Sequence, residues 1–369
     1  TAYEITYGDW SSDVCSSDLF AHWIREAVRC DMPYDQFVRE LVTATGPGHK
    51  EGCGATGYLL RDANMPHDAM ANTLRLFLGT RLECAQCHNH PTDHWTQKDF
   101  YAMAAFFGGI RYRADVNTQT IASLRKTAAT GTDRDKQAAR RVLQTMGTGI
   151  AGSGTGQERL PDDYKYDDGK PKDPVFATTI FGAKVELPRP QPTAAGRPRL
   201  RARMTPLPPV EVQSRDAFAG WLTSAHNQRF LTVITGRMWQ HTFGRGLIES
   251  VDDLKESTQA VYPALQQRLE AMLVELDFDL RQFERVLCLT QLFQRACPST
   301  DPGEDQAYAF QGPMLRRMSA EQIWDSLLTL VFSDLDTRIR PTDARARDVY
   351  DRFAQLEQGS PEQIEALLK

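Results

Sequence analysis

Residues 68–88 read DAMANTLRLFLGTRLECAQCH, and this stretch sets how the rest of the chain is interpreted. Asp68 is a residue type that caps helices at the amino end. Apolar side chains follow at the three- and four-residue spacing of one helix face, at Met70, Leu74, Phe77 and Leu78. We therefore predict an amphipathic helix that runs toward the cysteine pair.

The sequence around this helix is also typical of helices. Pro33 is suited to the first turn of a helix whose apolar face comprises Phe37, Val38, Leu41 and Val42. Thr96 is suited to cap a further helix that carries Phe100. Residues 20–110 are thus predicted to form one helical domain.

Residues 211–369 are predicted to form a second helical domain. Leu265, Leu269 and Leu273 recur at helical spacing, and Ser319 begins a capping-box pattern ahead of an apolar run. The predicted fold class is therefore mainly α. It comprises two helical domains joined by an irregular segment that is rich in Gly and Pro and contains little β-structure.

Residues 111–210 are predicted to be that joining segment. Within it, Asp133 to Met146 is a charged helical stretch, and Pro174 to Val185 has short apolar runs that fit a small strand pair. Gly147 to Gly154 has the letters of a dinucleotide-binding loop. No strand precedes it and no helix follows, so we interpret it as a flexible linker. We expect residues 147–157 to lack order.

Residues 9–19, DWSSDVCSSDL, differ from the rest of the chain. They have neither helical nor strand periodicity, and they match the translation of a common sequencing-library adapter. We therefore interpret residues 1–19 as an artefact and exclude them from the fold. Residues 9–19 are expected to pack against nothing, and deletion of residues 1–19 is expected to leave the melting temperature unchanged or higher.

The composition is that of a globular protein, with 41% hydrophobic and 25% charged residues. The 43 basic and 48 acidic residues give a net charge of −5, which argues against nucleic acid or an anionic membrane as a partner. No run of residues is apolar for long enough to form a transmembrane segment. Common hydrolase and NTPase motifs are absent, so the sequence leaves open whether the chain is an enzyme.

The sequence Cys84-Ala85-Gln86-Cys87-His88 carries the strongest chemical signal. Two thiols three positions apart on a helical turn can both reach the vinyl groups of one haem and form thioethers. The imidazole that follows then points at the iron as an axial ligand. The motif thus predicts covalently attached haem c, with Cys84, Cys87 and His88 as the cofactor-binding residues.

Two other interpretations of the cysteine pair stay open. Cys84, Cys87, His90 and His94 have the spacing C-x2-C-x2-H-x3-H, and their nitrogen and sulfur atoms are suited to zinc. Alternatively, the two cysteines are a structural pair beside a polar loop. A zinc site would make the chain a metal-stabilised interaction or scaffold protein without a redox role.

The sequence does not determine which residue would lie on the face of the iron opposite His88. His94 could reach this position only if the chain turns at Pro91. Methionines at helical spacing usually fill cores, but three are also candidates: Met65, Met70 and Met103. His67 is interpreted as a loop or capping histidine.

Longer motifs resemble known families. Three are similar to the planctomycete cytochrome c-like domain family DUF1549: MPYDQFVREL at 32–41, FLGTRLECAQCHNHP at 77–91 and WTQ at 95–97. Three more resemble the DUF1553 domain that commonly follows it: LPDDYKYDD at 160–168, FGRGL at 243–247 and MSAEQ at 318–322. The resemblance covers nearly everything after residue 19.

The resemblance implies a secreted protein, often with a further cytochrome c domain upstream, and it strengthens the prediction of haem. We expect an extracytoplasmic location, a redox partner protein, and a role in electron transfer or as the redox arm of a larger enzyme. The signal peptide is expected to be lost from this fragment, and the second domain to be truncated. Gly236 and Tyr262 stand where the family pattern has Asn and His, which argues against a catalytic role for the second domain.

Overall fold

The computed structural model describes residues 16–62, 65–113, 118–152, 154–182, 184–185, 187, 214–297, 310–332, 341–359 and 363. Its regular structure is predominantly helical, and its strands are only two or three residues long. The predicted mainly α fold class is therefore confirmed.

The helices before residue 113 are α1 Ser16–Arg29, α2 Tyr34–Thr43, α3 Gly57–Leu60, α4 Pro66–Leu78 and α5 Gln97–Ala104. Two 3-10 turns, Gly54–Thr56 and Glu83–Gln86, lie between them. The predicted cap at Thr96 is confirmed, because its hydroxyl accepts the N–H of Asp99, whose carboxylate accepts the N–H of Thr96. These reciprocal bonds fix the start of α5.

The joining segment contains more regular structure than the sequence predicts. Helix α6 spans Thr118–Thr130, and α7, the charged helix expected here, spans Asp133–Gly147. Strand β1 Gly46–Pro47 pairs antiparallel with β2 Gly149–Ile150, and β3 Gln157–Arg159 pairs antiparallel with β4 Pro174–Phe176. The strand expected near Pro174 is thus present, but its partner is β3.

The prediction that residues 147–157 lack order is wrong for those that the structure describes. Ile150 is 1% exposed, and Arg111 and Ala151 exchange two backbone hydrogen bonds. Gly154 has a φ of +95°, and a β-carbon there would lie 2.0 Å from Oγ of Ser214. Gly154, which reads as part of a linker, therefore serves close packing, which only the tertiary structure reveals.

The described helices after residue 213 are α8 Ser214–Leu222, α9 Gln228–Phe243, α10 Pro263–Glu275, α11 Leu280–Leu289, α12 Ala320–Val331 and α13 Pro341–Gln358. The capping box predicted at Ser319 is confirmed by its reciprocal bonds with Gln322.

The two helical regions share one hydrophobic core. Helix α2 packs against α8, and α4 packs against α9. The largest cluster of buried apolar side chains extends from Tyr34 to Phe310 in sequence. Across the boundary, the rings of Tyr34 and Phe230 stack with their centroids 5.3 Å apart. The two predicted helical regions are therefore continuous in their packing.

The amino-terminal end of the described chain packs into a second apolar cluster. Helix α1 begins at Ser16, and Leu19 is 1% exposed in a cluster that includes Val142 of α7 and Leu356 of α13. The expectation that residues 9–19 pack against nothing is therefore wrong for Leu19. Residues 9–15 lie outside the described residues, and their origin in an adapter stays a prediction.

Helix α4 ends because Gly79 adopts a left-handed φ of 57°. The N–H of Gly79 bonds to the carbonyl of Arg75 over 3.2 Å, and the N–H of Thr80 bonds to the carbonyl of Leu74 over 3.3 Å. These paired bonds satisfy the last carbonyls of the helix. A β-carbon on Gly79 would lie 2.1 Å from the carbonyl oxygen of Val251. Only glycine therefore allows the chain to turn here and approach the second helical region.

Gly79→Ala is expected to lower the free energy of unfolding by more than about 2 kcal/mol, because left-handed backbone strains alanine and the new methyl group meets Val251. Gly147→Ala is the matched control, since Gly147 also ends a helix but a β-carbon there contacts nothing within 4 Å. Urea unfolding of both variants beside the wild type measures the difference. Equal effects of the two substitutions would contradict the role given to Gly79.

Candidate functional site

The cysteine pair starts on a separate turn rather than at the end of the amphipathic helix. The sequence predicts that α4 runs toward Cys84, but the helix stops at Gly79 and the 3-10 turn Glu83–Gln86 follows. Leu82 and Ala85 are both 0% exposed, and they anchor this turn in the core.

Both thiols of the motif are accessible. Cys84, Cys87 and His88 are exposed, and neither cysteine is in a disulfide. Because Ala85 between them is buried, the turn presents the two cysteines on its outer side. Two free thiols and an imidazole within five residues are what covalent attachment of haem requires.

The ring of His88 is oriented by a hydrogen bond to the backbone. Its Nδ1 lies 2.7 Å from the carbonyl oxygen of Asn89. A carbonyl oxygen can only accept, so Nδ1 must carry the proton, and the lone pair of the neutral ring is on Nε2. The imidazole can therefore bind a metal through Nε2. A carbonyl partner on the other nitrogen is usual for histidines that bind metals.

The loop that carries the motif is fixed from two directions. The N–H of Asn89 donates to the hydroxyl oxygen of Tyr166 over 2.8 Å, and its side-chain oxygen accepts the N–H of Gln97 over 2.9 Å. Gln97 is buried, and its side-chain amide donates to the carbonyl of Gln86 over 2.9 Å. Both ends of the loop are thus tied to the start of α5.

The structure does not bring the four predicted zinc ligands together. Nδ1 of His94 lies 2.8 Å from the carboxylate of Asp93, and Nδ1 of His90 accepts the N–H of Thr92 over 3.3 Å. In the parts of the chain that the structure describes, no three His, Cys, Asp or Glu side chains are grouped to hold a metal ion. The chain therefore provides no ready-made zinc cage there, and zinc binding stays a prediction.

The methionines considered as iron ligands differ in exposure. Met70 and Met103 are 0% exposed within the shared core, whereas Met65 is half exposed ahead of α4. Met70 and Met103 therefore fill the core, as methionines at helical spacing usually do.

A histidine–carboxylate pair also lies close to this loop. His67, interpreted from the sequence as a loop or capping histidine, instead lies in the first turn of α4. Its Nε2 is 3.6 Å from Oε2 of Glu158, and its ring stands edge-on to that of Tyr101. The two partners are far apart in sequence, so no spacing pattern could have indicated this pair.

Burial, hydrogen bonds and neighbouring charges shift the pKa values of Glu158 and of the nearby Tyr101. Burial by itself raises the pKa of Glu158, but hydrogen bonds from His67 and from the N–H of Arg159 outweigh it, and the pKa lies below its ordinary value. The pKa of Tyr101 is raised, first by burial and then by the nearby Cys87 and Glu158. Tyr101 is therefore a neutral phenol near one of the two thiols.

Two family models match the chain. PSCyt2, described as a protein of unknown function (DUF1549), matches residues 6–112, and PSD1, described as a protein of unknown function (DUF1553), matches residues 214–357. The chain is a DUF1549–DUF1553 protein. The DUF1549 match contains the motif at 84–88 and also runs through residues 9–19. No curated protein and no solved structure matches the chain.

The DUF1549 and DUF1553 regions meet at the start of the cysteine loop. The N–H of Leu254 donates to the carbonyl of Gly79 over 2.7 Å. The guanidinium of Arg229 donates to the hydroxyl of Thr80 over 3.1 Å and to the carbonyl of Leu254 over 2.8 Å. The DUF1553 region therefore supports the segment from which the DUF1549 loop begins. None of the described helices is both long and apolar enough to cross a lipid bilayer.

The lowered pKa of Glu158 predicts a pH-dependent contribution to stability. An acid whose pKa is lower in the folded protein contributes stability above its unfolded pKa, and this contribution is lost as the pH falls through the folded pKa. Glu158→Gln is therefore expected to be less stable than the wild type at about pH 7, and the difference is expected to be smaller at about pH 3.5. Thermal unfolding at the two pH values measures it.

Glu256→Gln is the control for this comparison, because the side chain of Glu256 is 80% exposed. It is expected to unfold like the wild type at both pH values. A stability loss in Glu158→Gln that stays constant between them would contradict the role of the ionised carboxylate.

Proposed function

We propose that this chain is an extracytoplasmic c-type haem protein that transfers electrons, either as a carrier or as the redox arm of a larger enzyme. One observation carries the proposal. Cys84 and Cys87 present free, exposed thiols beside His88, whose Nδ1 bond to Asn89 leaves Nε2 to bind iron. The DUF1549 family is also named as a cytochrome c-like domain family, which supports the same function.

The residues present fit the attachment of haem c. Each thiol adds across one vinyl group, so that its sulfur bonds to one vinyl carbon and its hydrogen passes to the other, and no oxidant is consumed. His88 provides a nitrogen ligand, and the buried Gln97 holds the loop in place. When bound, the haem supplies an iron that accepts and releases single electrons.

The exposure of the motif supports electron transfer between proteins. A group attached at Cys84 and Cys87 remains within reach of a redox partner, because both side chains are at the surface. Covalent attachment of haem takes place outside the cytoplasm, which is why we propose an extracytoplasmic location. The zinc-stabilised scaffold has no comparable support from the geometry.

Exported from a host with haem-attachment machinery, the protein is expected to carry a Soret band that stays with the polypeptide after denaturation and acid–acetone extraction. Cys84→Ala is expected to weaken attachment, and the double change with Cys87→Ala to abolish it. His88→Ala is expected to change the spin state of the iron while some attachment remains. Cys30→Ala is the matched control and should keep the full band, because Cys30 is exposed but outside the motif.

A colourless protein from the same host would overturn the proposal. If that protein carried about one zinc ion per chain, the zinc-stabilised scaffold would replace it. His90→Ala or His94→Ala would then release the metal and destabilise residues 80–100, because structural zinc contributes directly to folding.

A further inference from the structure

Asn89 connects the proposed iron ligand to a residue far along the chain. Its carbonyl oxygen accepts from Nδ1 of His88 over 2.7 Å, and its N–H donates to the hydroxyl oxygen of Tyr166 over 2.8 Å. Its side-chain oxygen accepts the N–H of Gln97 over 2.9 Å. The acceptor that orients His88 is therefore held by contacts outside the motif.

The two peptide planes that flank Asn89 are fixed separately. Tyr166 binds the N–H in the plane that Asn89 shares with His88. The next plane contains the Asn89 carbonyl, and its N–H, from His90, donates to the carbonyl of Trp95 over 2.8 Å. The carbonyl that faces His88 is thereby fixed in direction, and hydrogen bonds in series polarise one another.

Tyr166 is itself held firmly. It belongs to a loop closed by two backbone bonds, from Leu160 N–H to the carbonyl of Asp173 over 3.0 Å and from Lys172 N–H to the carbonyl of Leu160 over 3.2 Å. Its ring packs edge-on against the buried ring of Tyr164, with the centroids 5.5 Å apart. The phenol oxygen therefore meets Asn89 from a fixed position.

We propose that Tyr166 is a positioning residue that, through Asn89, fixes the orientation and the protonated nitrogen of His88 and so tunes the iron that His88 binds. The proposal rests on the function proposed above. Tyr166 makes no contact with the iron in this scheme. It holds the peptide plane between His88 and Asn89, while the bond from the His90 N–H to Trp95 holds the plane of the Asn89 carbonyl. Together they fix the carbonyl relative to the ring, and the bond that this carbonyl accepts from Nδ1 increases the basicity of Nε2 as a ligand.

The direction of the effect on the redox potential follows from this basicity. A more strongly donating imidazole favours the oxidised, more positively charged iron and lowers the midpoint potential. Loss of the Tyr166 hydroxyl releases the peptide plane between His88 and Asn89, so that His88 can move relative to the Asn89 carbonyl and the bond between them weakens. The midpoint potential is therefore expected to rise.

The neighbouring tyrosine provides a matched control. Tyr164 lies in the same loop, and its hydroxyl donates to the carboxylate of Asp168 rather than to the cysteine loop. Tyr164→Phe therefore removes the same atom from the same loop without touching Asn89.

The test uses the full chain in two forms, with wild type, Tyr166→Phe and Tyr164→Phe compared in each. In the haem-free protein, 15N NMR of His88 measures the ratio of the ring protonated on Nδ1 to the ring protonated on Nε2. This ratio is expected to fall about fivefold in Tyr166→Phe and to stay unchanged in Tyr164→Phe. In the haem-loaded protein, potentiometric titration is expected to show a higher midpoint potential for Tyr166→Phe alone.

Equal ratios and equal potentials in the two variants would overturn the role of Tyr166 while leaving haem attachment in place. A wild type that attaches no haem would instead overturn the proposed function. The NMR comparison would then still decide whether Tyr166 positions His88.

Discussion

The buried guanidinium of Arg215 joins the parts of this chain that the sequence separates. Arg215 is 0% exposed, and its Nη1 donates to the carbonyls of Val42 and Ala44 over 3.0 Å each. Its Nη2 donates to the carbonyl of Gly152 over 2.6 Å. A buried cation must be compensated by such bonds, so α8, the first DUF1553 helix, can pack only where the end of α2 and the segment after β2 both provide carbonyl oxygens for Arg215. One core shared by the two helical regions is the consequence.

The features that depend on local physics could be predicted from the sequence. Helical spacing and the caps at Thr96 and Ser319 act within one or two turns, and the structure has them where the sequence places them. The ordered path of the described residues between 147 and 157 could not be predicted, because Gly154 is set by a contact with the distant Ser214. A sequence read locally cannot distinguish a flexible glycine run from one that allows close packing.

The candidate site likewise has a part that the sequence predicts and a part that it does not. The cysteine pair and His88 lie within five residues, so their spacing is visible in the sequence and carries the prediction of haem. The contacts that fix them come from residues far away in the sequence. Tyr166 binds Asn89 from a separate loop. The backbone of Gly79 lies close to that of Val251 in the DUF1553 region, and no sequence pattern indicates this contact. The DUF1549 motif therefore depends on the joining segment and on DUF1553 for its geometry. This dependence gives a physical reason why the two regions occur in one chain.

Mass spectrometry of one peptide tests the central claim most directly. Trypsin cleaves after Arg81 and Lys98, so peptide 82–98 contains both cysteines and His88. In protein exported from a host with haem-attachment machinery, we predict that this peptide carries the mass of one haem. We also predict that a thiol reagent labels neither Cys84 nor Cys87. The unmodified peptide, labelled at both cysteines, would contradict covalent haem binding at this loop.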